Sequence, residues 1–85
     1  MVSNNKNSNI VVGLDIGTSK VVCIVGKHDE SGNLEVISLG SYPSSGLKKG
    51  VVVNIDATTD AIQKAVDQAQ SMIEEKIKSV YVGIA

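Results

Sequence analysis

The segment Val21-Val22-Cys23-Ile24-Val25 is apolar at every position, and this run constrains the chain more than any other stretch. Side chains of a strand alternate between the two faces of its sheet, so an unbroken apolar run describes a strand that is covered on both faces. The same bias runs through the whole chain. Its 85 residues include 13 Val and 9 Ile against 4 Leu, with 2 Tyr and no Trp or Phe. Branching at Cβ restricts χ1 in a helix and suits a pleated sheet, so a helical bundle is disfavoured and a sheet of small aliphatic side chains is expected.

Composition sets the wider limits. A chain this short is at most one small domain and buries only about 60–65% of the surface that its unfolded form exposes. It carries 8 Lys, no Arg, 9 Asp plus Glu and a formal charge of -1. That balance argues against a nucleic-acid partner, because neutralising phosphates takes a clustered cationic surface and reading bases usually takes Arg. One cysteine, Cys23, precludes an internal disulfide framework and reads as a cytosolic chain. No apolar run approaches the ~20 residues that span a bilayer, and the polar start lacks the apolar centre of a signal peptide.

Along the chain, residues 1–9 form a polar, Asn-rich leader that is expected to be disordered, since it cannot repay its ordering entropy. Ile10 to Leu14, Val21 to Val25 and Leu34 to Ser41 read as three strands of an antiparallel meander, with a polar reversal over His28 to Asn33. A loop follows from Pro43 to Gly50, then the short extended piece Val51-Val52-Val53. Asp56 is a suitable N-cap for a helix over Ala57 to Lys76, roughly 30 Å long. Its apolar stripe is Ile62, Ala65, Val66, Ala69, Met72 and Ile73, read as core packing, with Asp60/Lys64 and Glu74/Lys78 as i,i+4 pairs on the solvent side. Ser79 to Ala85 returns as a strand. The fold class is therefore α/β in the order β-β-β-α-β. One helix covers one face of such a sheet, so residues 10–85 are expected to be an incomplete domain that folds poorly or aggregates alone.

One stretch can carry chemistry: Gly13-Leu14-Asp15-Ile16-Gly17-Thr18-Ser19-Lys20. A strand delivers Asp15 to its end, and Gly17 lets the backbone turn without a Cβ, in the positive-φ region where a β-branched residue is penalised. The N–H groups of Gly17, Thr18 and Ser19 can then share one concavity, an anion nest suited to phosphate oxygens. Asp15 can hold Mg²⁺ through its waters, and Lys20 can offset phosphate charge. The same residues also make an ordinary hairpin loop, since Asp and Gly are what such loops use. Other polar candidates are weaker. Cys23 sits mid-strand and reads as a buried hydrophobe, His28 as a solvated turn residue, and Lys48 and Lys49 as solvated charges.

The Gly13 to Lys20 element resembles the first phosphate motif of the actin, Hsp70 and sugar-kinase ATPase superfamily. Within it, Ser44 to Asp56 and Ala65 to Met72 look like the FtsA family of bacterial cell-division proteins. The likeness runs from Ile10 to Ala85 and implies the N-terminal part of an actin-like (ribonuclease H-like) subdomain. By resemblance, Asp15 matches the Mg²⁺-associated acid, Gly17, Thr18 and Ser19 match the turn facing the ATP phosphates, and Lys20 continues the pattern. The family implies ATP and Mg²⁺ as ligands and at most weak ATPase activity, with no metabolic reaction. It also implies polymers on the cytoplasmic face of the membrane that tether the FtsZ ring. Further ATP motifs, an inserted subdomain and the C-terminal amphipathic membrane helix of family members are absent from these residues. A sugar kinase and a pilus-assembly relative of FtsA are the alternatives, and a second catalytic Asp or an amphipathic C-terminal helix downstream would separate them.

Overall fold

The computed structural model describes residues 10–44, 47, 48, 51, 52 and 55–84, so the predicted leader, Lys49, Val53 and Ala85 lie outside the described residues. Three strands, β1 (Ile10–Ile16), β2 (Lys20–His28) and β3 (Leu34–Pro43), pair antiparallel in sequence as the predicted meander. Two short strands absent from the predicted order, β4 (Leu47–Lys48) and β5 (Val51–Val52), pair in a separate small sheet. The helix α1 (Ile55–Gln70) follows, and β6 (Tyr81–Ile84) then joins β1 in parallel. The main sheet therefore has the order β3-β2-β1-β6, with β1 inside it.

The turns follow from local chemistry. Between β2 and β3, Asp29 Oδ1 accepts from the amides of Ser31 at 2.8 Å and Asn33 at 2.9 Å, and Gly32 takes the left-handed φ of 87° that this reversal needs. A register shift at Val25/Gly26 makes Ile37 an extra residue of β3, a bulge that discourages pairing at that edge.

Val12, Leu14 and Ile16 stand opposite Val25, Cys23 and Val21, and all six are buried. Burial also pushes the Cys23 thiol up, as expected of a structural rather than a nucleophilic cysteine. Helix α1 lies over β2 and β3 on this face. Its buried seam is Thr58, Ala61, Ala65 and Ala69; Ala65 and Ala69 belong to the predicted stripe, Thr58 and Ala61 do not, and Ile62 and Val66 of that stripe pack half-buried at its side. Small side chains on this row let the helix approach Gly40 of β3, where a Cβ would meet the backbone of Ala65 and Ala69. The buried Ser38 hydroxyl donates to the Ala69 carbonyl at 2.6 Å, satisfying both polar groups.

Helix α1 differs from its predicted bounds at both ends. Asp56 stands inside the first turn rather than at the cap, where its carboxylate still complements the positive end of the dipole. At the other end the helix stops at Gln70, six residues short of Lys76. The amides of Met72 and Ile73 reach back only three residues, to the carbonyls of Ala69 and Gln70. Gln70 then turns its own side chain onto the next segment, donating to the Glu75 carbonyl and accepting from the Ile77 amide, each at 2.8 Å. Met72 is consequently exposed, Ile73 packs on the core from beyond the helix, and Glu74/Lys78 no longer share a helical face. Asp60 and Lys64 do pair, at 3.1 Å, as predicted.

Glu75 instead meets Lys27 of β2 at 2.9 Å. The Lys27 ammonium, helped by a backbone donor, holds its carboxyl below the usual glutamate range. A lowered folded-state pKa means that the pair stabilises above the unfolded value of about 4.3 and loses that contribution as the pH falls through the folded value. In Lys27→Met the titration midpoint of Glu75, followed by carboxyl-carbon NMR, is expected to rise toward 4.3; an unchanged midpoint would mean that Lys27 is not the cause.

No described element covers the opposite face of the sheet. Alternation places Leu34, Val36 and Leu39 of β3, Val22 and Ile24 of β2, Val11 of β1 and Tyr81 of β6 on it. Val36 is 62% exposed, Leu39 46% and Ile24 39%. The run Val21 to Val25 is thus buried at alternate positions beneath α1, whereas Val22 is half-buried and Ile24 exposed on the face that no described element covers. No described helix is long and apolar enough to cross a membrane.

Candidate functional site

The predicted site is the β1–β2 hairpin end. Thr18 and Ser19 form its two-residue tip, closed by the Gly17 amide donating to the Lys20 carbonyl at 2.9 Å. Ser44, just past β3, donates its amide to the Ser19 carbonyl at 2.9 Å and ties the tip to the neighbouring strand.

Two expectations change here. The Gly17 N–H is committed to Lys20 and is not a donor to the concavity, which leaves the amides of Thr18 and Ser19, for which no acceptor appears among the described residues. Nor does Gly17 use the left-handed region; Gly32 is the described glycine that does. The demand on Gly17 is space, since an added Cβ would stand 3.1 Å from the Lys20 carbonyl oxygen.

Asp15 pairs with Val22 on one side and Gly83 on the other. Because Gly17 and Lys20 form the next pair of the hairpin, the pleat sends Asp15 and Lys20 to the same, open face. Both are exposed, and the described ion pairs leave them uncommitted. Gly13 and Gly83 flank Asp15 on that face, and at each of them a Cβ would find nothing within 4 Å. The carboxylate therefore stands beside backbone that a ligand can approach closely. Sequence reasoning named Asp15, Gly17, Thr18, Ser19 and Lys20, but missed Gly83, which enters through a strand pairing 68 residues away in sequence.

The donor set suits a magnesium-bound phosphate group. Among the described residues no three His, Cys, Asp or Glu side chains cluster to hold a metal. Mg²⁺ is commonly held by one or two carboxylates together with phosphate oxygens and water, so the single Asp15 carboxylate is compatible with it. Two amides, two hydroxyls and the Lys20 ammonium are the groups available for anionic oxygens.

A three-strand meander, a helix and a parallel strand added beside β1, with an acidic residue at the end of β1, define a mixed α/β fold. No protein-family model matches the chain. It is 55% identical over 80 residues to the cell division protein FtsA of Pseudomonas aeruginosa, covering 94% of this chain and 19% of that protein. FtsA of Neisseria meningitidis serogroup B is 47% identical over 72 residues, covering 85% of this chain and 17% of that protein. FtsA of Bacillus subtilis is 44% identical over 78 residues, covering 92% and 18%. A solved structure, diol dehydratase-reactivating factor in nucleotide-free form, is similar over 89% of this chain and 12% of its own, at TM-score 0.47 and 23% identity. The chain belongs to the FtsA family of cell-division proteins, and it spans about a fifth of the length of the relatives it matches.

Proposed function

We propose that the β1–β2 hairpin end binds the phosphates of ATP with Mg²⁺, as the first phosphate loop of an actin-like cell-division protein. Asp15 holds the ion through its waters; the amides and hydroxyls of Thr18 and Ser19 take phosphate oxygens; Gly17 shapes the turn; Lys20, on the same face as Asp15, offsets the added charge. The observation that carries this reading is the uncommitted Asp15 carboxylate, set on the open face between Gly13 and Gly83 beside two amides without acceptors among the described residues. ATP acts as a structural ligand or conformational switch, with at most weak hydrolysis. In the same reading, the complete protein polymerises on the cytoplasmic face of the membrane and anchors the FtsZ ring there, held by a C-terminal amphipathic helix outside these residues.

The test is titration of ATP, with and without Mg²⁺, into a protein of the relatives' full length that carries residues 1–85. Asp15→Ala is expected to weaken Mg-ATP binding by about tenfold or more, the loss of one charge-assisted contact. It should affect binding without Mg²⁺ much less. Equal affinity of wild type and variant in both conditions would remove Asp15 from the site.

A further inference from the structure

The segment between α1 and β6, residues 71–80, has no regular structure, yet it leads directly into β6. Three side-chain bonds tie it down. Gln70 holds the Glu75 carbonyl and the Ile77 amide, both at 2.8 Å and partly buried, and Lys27 holds the Glu75 carboxylate at 2.9 Å. Ile73, Ile77 and Val80 of the same segment pack against the core.

β6 itself specifies its register weakly. It has four residues, Tyr81 and Val82 are 65% and 56% exposed, and its pairing is to β1 alone among the described strands. Neither Tyr81 nor Val82 is deeply buried, so neither pins the strand firmly, and a slip of one residue moves every side chain to the other face. Here such a slip would replace Gly83 beside Asp15 with Val82 or Ile84, placing a branched side chain where the observed register has none. Only Lys78, Ser79 and Val80 separate the clamped Ile77 from Tyr81. Each strand residue advances about 3.3 Å, so a slip must be taken up within these three residues or by release of the Gln70 bonds.

We propose that Gln70 is a positioning residue: its side-chain amide sets the register of β6 on β1 and so keeps the place beside Asp15 free of a side chain. The consequence for nucleotide rests on the reading of Asp15 given above; the register does not.

The test uses Gln70→Met, similar in length but without the bonds, in the full-length protein, read by amide hydrogen exchange and by Mg-ATP titration. Exchange over residues 75–84 is expected to quicken by about tenfold or more, from the loss of two hydrogen bonds, with the β2–β3 ladder unchanged and ATP affinity lowered. Unchanged exchange in β6, or a loss spread evenly over the sheet, would overturn the proposal. Gln70→Glu keeps an acceptor for the Ile77 amide and serves if Gln70→Met does not fold. It too must quicken exchange at 75–84 and nowhere else, and no change there overturns the proposal. A wild type that binds no ATP would sink the nucleotide reading, while the exchange data still decide the register.

Discussion

Replacing Gly40 with Ala is expected to cost about 3 kcal/mol of folding stability, toward the upper end for overpacking a core. A Cβ at Gly40 would overlap the Ala65 carbonyl oxygen and stand 2.8 Å from the Ala69 nitrogen. Both obstacles are helix backbone, which cannot rotate away as a side chain can, so α1 must lift from β3. Lifting it also opens the seam of Ala61, Ala65 and Ala69 and lengthens the 2.6 Å bond from Ser38 to the Ala69 carbonyl. Alanine does restrict the unfolded chain more than glycine, but that gain is about 0.4–1 kcal/mol and does not offset the overlap. Gly13→Ala is the control, because a Cβ there meets nothing within 4 Å. Denaturant unfolding of both variants at the relatives' full length decides the matter. Equal midpoints would mean that the helix does not approach the sheet at Gly40.

The second large effect concerns the open sheet face. The 85-residue chain on its own is expected to self-associate with rising concentration, because Ile24, Leu34, Val36, Leu39 and Tyr81 form an apolar surface that no described element covers. Fully burying one such aliphatic side chain is worth roughly 1.5–3 kcal/mol, so even partial burial of several favours association over a solvated monomer. Both edges of the described sheet, β3 and β6, offer further pairing sites, although the bulge at Val25/Gly26 weakens the first. Sedimentation should therefore report species larger than the monomer. Ile24→Lys with Leu39→Lys, placing two ammonium groups on adjacent paired strands, should shift the chain toward monomer. A wild-type chain that stays monomeric and unfolds in one cooperative transition would show that one covered face is enough for this fold.

Much of the candidate site was legible because its residues are consecutive. Strand, tight turn and strand are local properties, and Asp15 through Lys20 occupy a single hairpin end. The chemistry at its tip was less legible. Whether the Gly17 amide is free depends on how the hairpin closes, and a two-residue tip closed by the Lys20 carbonyl commits it. Lys20 could not be oriented from sequence, since its face depends on the register of β2 against β1.

The helix shows the same division. Its existence and the Asp60–Lys64 pair follow from three- and four-residue spacing. Its buried row follows only in part: Ala65 and Ala69 are in the apolar stripe, but Thr58 and Ala61 are not, and the more hydrophobic Ile62 and Val66 sit beside the seam rather than in it. Proximity to Gly40 selects small side chains over large ones, and that proximity is a tertiary fact. Its end at Gln70 was equally hidden, because apolar spacing continues through Met72 and Ile73 while the Gln70 amide diverts the backbone toward Glu75 and Ile77.

The sequence by itself determined that Val21 to Val25 is a strand whose two faces both carry apolar side chains, and that it forms the second arm of a hairpin whose first strand ends in an acidic residue. Those are properties of neighbours along the chain, where alternation and turn chemistry act. The tertiary structure decided which face α1 covers, that β6 runs parallel beside β1, and that Gly83 stands next to Asp15. Each of these joins residues far apart in sequence, where helix approach and strand register set the outcome and local propensity has no influence.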